Sequence, residues 1–61
     1  MKELKKLLLL AYDFAGDLEV VEKLLIEYAS SEDMEKAKGA KISHDYVKGK
    51  LDEVLNQIKK Y

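Results

Sequence analysis

Eight apolar residues recur alternately three and four apart through the first half of this chain: Leu4, Leu7, Ala11, Phe14, Leu18, Val21, Leu25 and Tyr28. That spacing averages about 3.5, close to the turn of an α-helix, so the eight side chains line one helix face as a heptad seam. A strand alternates every second residue and would scatter the same set over both of its faces. The seam is an association surface, and it commits the chain to helices that pack on one another.

Cover for such a seam is scarce in a short chain. A domain of 61 residues buries only about 60% of the surface its unfolded chain exposes, and proteins of this size draw on a supplement. With no cysteine and one histidine, there is no disulfide and a closed structural zinc site lacks ligands. Oligomerisation is the supplement that remains. The first segment calls for it, because Leu7, Leu8, Leu9 and Leu10 point around the whole circumference of a helix, further than one neighbour can reach. A hydrophobic fraction of 48% beside 38% charged residues, without proline, fits a folded helical protein and not a disordered one.

The seam can describe one long helix or two packed ones. Gly16 suits the position just past a helix end, and Asp17 suits the N-cap of the next helix. Read as a corner, the pair predicts helices over residues 2–15 and 17–30. The run from Leu9-Leu10-Ala11 through Gly16-Asp17-Leu18-Glu19-Val20-Val21 to Leu24-Leu25 resembles the helix-turn-helix half of an ankyrin repeat. The resemblance implies an antiparallel hairpin turning at Gly16. No second copy follows, and a lone repeat does not bury its own faces.

Ser30-Ser31-Glu32-Asp33 reads as a second boundary, with a serine as N-cap and acids in the next first turn. It predicts a short helical turn over residues 32–38, ended by Gly39. Ser43 then has the pattern of a helix start, with Ile42 and Val47 at hydrophobic-staple positions and Asp45 in the first turn. Val47, Leu51, Val54, Leu55 and Ile58 form the apolar stripe of a last helix over residues 43–60.

Catalytic and cofactor chemistry finds no constellation. Ser43-His44-Asp45 has the residue types of a hydrolase triad, but neighbours at a helix start point about 100° apart and cannot form the relay. Asp13 and Asp17 lack the histidines of a di-metal motif, and Glu32, Asp33 and Glu35 do not follow a calcium loop. Gly39 and Gly49 stand alone, so no phosphate-cradling loop is present. The lysine-rich start followed by Leu7 to Ala11 looks like a secretory leader, but its apolar run is short and Asp13 interrupts it. No stretch approaches the roughly 20 apolar residues of a membrane span.

A net charge of -1 brings no field that would draw the whole molecule to nucleic acid. Every basic residue is lysine, which lacks arginine's bidentate fork. A local exception is Ile42-Ser43-His44-Asp45-Tyr46-Val47-Lys48-Gly49-Lys50-Leu51, which resembles the recognition helix of a helix-turn-helix domain of the sigma factor region 4 type. Ala37 and Ala40 fall where that motif places small residues in its first helix. The resemblance implies that Ser43, His44, Asp45, Lys48 and Lys50 meet the major groove or its phosphates.

These readings converge on an all-α single domain over residues 1–61, of three helices plus one short helical turn, packing as a helical-bundle homo-oligomer, most simply a dimer. The function expected is a non-enzymatic protein-interaction module, an adaptor, regulator or inhibitor, acting through an apolar helix face in the cytoplasm. Its expected contacts are Leu8, Leu9, Tyr12, Ile26 and Tyr28, which lie off the minimal stripe or at its end. No metal, cofactor, small-molecule substrate or membrane enters this expectation. The competing expectation is a small DNA-binding regulator with residues 43–51 as recognition helix.

Overall fold

The computed structural model describes residues 2–61, and these form two antiparallel helices: α1, Lys2–Ser30, and α2, Met34–Ile58. The all-helical class stands, but the expected three helices and short turn are replaced by a helical hairpin. Its long axis measures 47 Å and its cross-section 14 × 11 Å, the dimensions of two helices lying side by side.

Neither expected break inside these helices occurs. α1 runs straight through Gly16-Asp17, no glycine has a positive φ, and both residues are exposed. The ankyrin-like corner is therefore absent. A glycine in a helix interior costs about 1 kcal/mol, whereas a corner there would cut the seam in two and strand its leucines. Gly39 likewise lies inside α2 and does not end it, and Ser43 is an exposed mid-helix residue with no capping role. The separate helix over 43–60 and the turn over 32–38 merge into one element for the same reason.

Those residues merge because α2 carries a seam of its own. Ala37, Ala40, His44, Val47, Leu51, Val54 and Ile58 alternate three and four apart, and each is buried or half-buried. The eight seam residues of α1 are its only residues that are not exposed. The two seams face each other along the full length of the hairpin. Glu22 meets His44 at 3.5 Å, and the Lys36 ammonium lies 5.8 Å from the centre of the Tyr28 ring. The register these contacts set brings Tyr28 level with Ala37, Leu25 with Ala40, Phe14 with Leu51 and Ala11 with Val54. At the turn end large residues thus meet small ones, whereas Phe14 faces Leu51; Ala37, Ala40 and Val54 are the buried core.

The chain reverses in a compact turn built on Glu32 and Asp33. Glu32 takes a left-handed φ of 63°; its amide donates to the Ala29 carbonyl at 3.2 Å, and the Asp33 amide donates to the Tyr28 carbonyl at 3.0 Å. This is the Schellman pattern, with glutamate where glycine is usual. Asp33 also starts α2: its carboxylate accepts from the Lys36 amide at 3.2 Å, and its carbonyl accepts from the Ala37 amide at 2.9 Å. The N-cap of the second helix is therefore this aspartate and neither of the serines before it.

Two substitutions test this geometry. Because a Cβ at Gly16 meets nothing within 4 Å, Gly16→Ala stabilises the protein by about 1 kcal/mol in chemical denaturation at fixed protein concentration. A corner with left-handed Gly16 would give the opposite sign. Glu32→Gly relieves the left-handed conformation and is expected to be neutral to stabilising by up to about 1 kcal/mol, since the longer-ranging freedom of glycine in the unfolded chain offsets part of the gain.

Candidate interaction surface

Pairing the seams leaves much of the apolar surface uncovered. No side chain among the described residues is completely buried, and large apolar residues stand exposed on both helices. Helical order and the two cross-helix contacts show how they are grouped. Glu22 reaches His44 on one side of the seam, and Lys36 reaches Tyr28 on the other.

On the Glu22 side, the α1 border carries Leu8, Ala15, Glu22 and Ala29, and it lies beside the α2 border of Met34, Lys41, Lys48 and Leu55. We refer to this side as the Leu8 flank. On the Lys36 side, Glu3, Leu10, Asp17 and Leu24 of α1 lie beside Lys36, Ser43, Lys50 and Gln57 of α2. Five of the eight border positions are apolar on the Leu8 flank, against two of eight on the Leu10 flank, so the first is the better surface for a helical partner.

The five expected interface residues divide between these surfaces. Leu8, Tyr12 and Ile26 share the Leu8 flank, with relative exposures of 52%, 79% and 66%. Leu9 is exposed on the back of α1, away from the seam. Tyr28 is half-buried within the seam, where Lys36 lies over its ring; its role is to join the hairpin. Met34 and Leu55 complete the flank from the α2 side, both exposed. Leu55, expected in the apolar stripe of the last helix, lies beside the seam instead, and Met34 precedes the apparent helix end at Gly39; the series 37, 40, 44, 47, 51, 54, 58 is the signal that places both.

The residues of the helix-turn-helix resemblance do not come together. No turn separates Ala40 from Ser43, so residues 43–51 are the interior of α2 and not a recognition helix. His44 points into the seam with a side chain only 20% exposed. Lys48 and Asp45 lie on the Leu8 flank, whereas Ser43 and Lys50 lie on the other, with Lys50 5.6 Å from the centre of the Tyr46 ring. A groove-reading set has to share one face, and this one is spread around the helix.

Charges on the Leu8 flank are densest between its two apolar ends, with Lys5 and Asp52 at the open end and Lys38 nearer the turn. Glu19 and Glu22 lie on α1, and Lys41 and Lys48 on α2. Lys41 donates to Asp45 at 2.9 Å, and Glu19 pairs with Lys23 at 3.4 Å. The two ring nitrogens of His44 lie 3.5 Å from Glu22 and 3.4 Å from Asp45. The hydrogen bond from Lys41, followed by that from His44, holds the Asp45 carboxyl below its ordinary value of 3.8. These pairs are exposed, and each stabilises the fold little.

Among the described residues the hairpin forms no pocket, no cluster of three or more potential metal ligands, and no helix long and apolar enough to cross a membrane. Comparison with protein-family models, curated proteins and solved structures yields no match.

The Asp45 shift carries a sign. A carboxyl depressed in the folded state adds stability above its unfolded pKa and loses it as pH falls through the folded value. Asp45→Asn should therefore lower the thermal midpoint slightly near neutral pH, and the difference from the parent should shrink as pH falls below the ordinary carboxyl value of 3.8. A difference that persists unchanged through the acid titration would rule out the ionic contribution.

Proposed function

We propose that this chain is a non-enzymatic helical interaction module that binds through an exposed apolar flank and self-associates as a dimer. The observation that carries the reading is excess surface. A compact monomer of 7.0 kDa exposes about 4,000 Å² by the usual scaling with mass, whereas the hairpin exposes 4954 Å². The difference, about 900 Å², is close to the roughly 800 Å² that each partner contributes to a standard protein interface. Apolar side chains on the Leu8 flank supply the affinity, and the charged band between them supplies selectivity.

An adaptor or inhibitor of another helical protein would use the same flank, by laying it against an amphipathic helix of the partner. The cytoplasm is the compartment we propose, since a chain without cysteine takes no stability from an oxidising one. Sedimentation equilibrium at micromolar concentration tests the reading. The expected mass is twice 7.0 kDa, falling toward the single-chain value on dilution, and unchanged by added duplex DNA. A single-chain mass that persists to about millimolar concentration would overturn the dimer.

A further inference from the structure

The Leu8 flank is patterned along its length, and the pattern selects one way of joining two copies. At the open end of the hairpin stand Leu8, Tyr12 and Leu55; at the turn end stand Ile26, Ala29 and Met34. Between them, displaced toward the turn, lies the charged band. Its α1 half carries Glu19 and Glu22, and its α2 half carries Lys41 and Lys48, with Asp45 between the lysines and bonded to Lys41. The α1 half of the band is acidic and the α2 half net basic, with Asp45 engaged by Lys41, which makes the band complementary to itself when α1 of one copy lies over α2 of the other.

We propose, building on the interaction reading above, that two copies pack through their Leu8 flanks about a two-fold axis parallel to the long axis, forming a four-helix bundle with both turns at the same end. That operation lays α1 over the second copy's α2 at equal height. Glu22 and Glu19 then come near the second copy's Lys41 and Lys48. Leu8 and Tyr12 meet its Leu55, and Ile26 and Ala29 meet its Met34. Ala15 and Ala29 at the border let the helices approach closely at two levels.

The other face-to-face arrangement sets the two-fold axis across the long axis, with the turns at opposite ends. It lays α1 on α1 and α2 on α2. Because the charged band is off-centre, full overlap then brings Glu22 onto the second copy's Leu8 and Tyr12, and Leu55 between its Lys41 and Asp45. The Glu22 carboxylate would be desolvated against apolar side chains without a partner. The Leu10 flank is a poorer dimer surface, since Asp17, Ser43, Lys50 and Gln57 occupy its border.

The chain has no cysteine, so a spin label on Ser30→Cys, an exposed residue at the last turn of α1, reports the arrangement directly. With both turns together, the two labels lie within about 30 Å, given helix spacings of about 8–10 Å and flexible label arms. A separation near the 47 Å length of the hairpin overturns the arrangement while leaving self-association intact. A single-chain mass overturns both.

Charge reversal tests the band. Glu19→Lys with Glu22→Lys, and separately Lys41→Glu with Lys48→Glu, should each weaken self-association about tenfold or more, while a mixture of the two variants restores it. Circular dichroism on each variant confirms that it remains helical. Helical variants that dimerise as tightly as the parent would show that the Leu8 flank is not the interface.

Discussion

Two heptad seams meeting along their whole length are the constraint on which the rest of this structure depends. Each seam residue removed from water contributes on the order of a kilocalorie, whereas an interior glycine costs about 1 kcal/mol. Breaking α1 at Gly16 would have saved one such penalty and split eight seam residues between two short helices. Continuity also sets the register, because the turn at Glu32 and Asp33 brings the second seam back beside the first with Tyr28 level with Ala37. The alanines there are buried because they are small and face large residues.

The first seam was legible from spacing alone, and all eight of its residues are half-buried in the hairpin. Its partner was not, because one member of the second series is His44 and two are alanines, so polarity scanning loses the stripe before Val47. The errors share a cause. Gly16-Asp17, Gly39 and Ser43 carry good local signals for helix ends, and local signals contribute about a kilocalorie each, less than the packing that overrode them. The true end is marked by Glu32 in a left-handed conformation, a residue with none of glycine's freedom there, so composition could not distinguish it from its neighbours.

The candidate surface was partly legible for the same reason. Leu8, Tyr12 and Ile26 were identified from a leucine surplus and from their distance off the stripe, and they fall on one flank. Leu9 and Tyr28 satisfied the same criterion but face the back of α1 and the seam. Distinguishing them needs the position of the second helix, because a residue next to a seam lies on one flank or the other only once the partner's direction is known. Met34 and Leu55 became part of the flank only when residues 34–58 proved to be a single helix.

A hairpin whose buried core is Ala37, Ala40 and Val54 has little cohesion of its own. On the proposed interaction reading its folding and association are coupled: whatever covers the Leu8 flank adds its binding free energy to the stability of the hairpin. On the proposed dimer, a helical partner for the same flank displaces the second copy and must recover the stability that copy supplied. The apparent affinity for such a partner then falls as the chain becomes more concentrated. The segregation of Glu19 and Glu22 from Lys41 and Lys48 further limits the partners that can compete to helices presenting acid over α2 or base over α1.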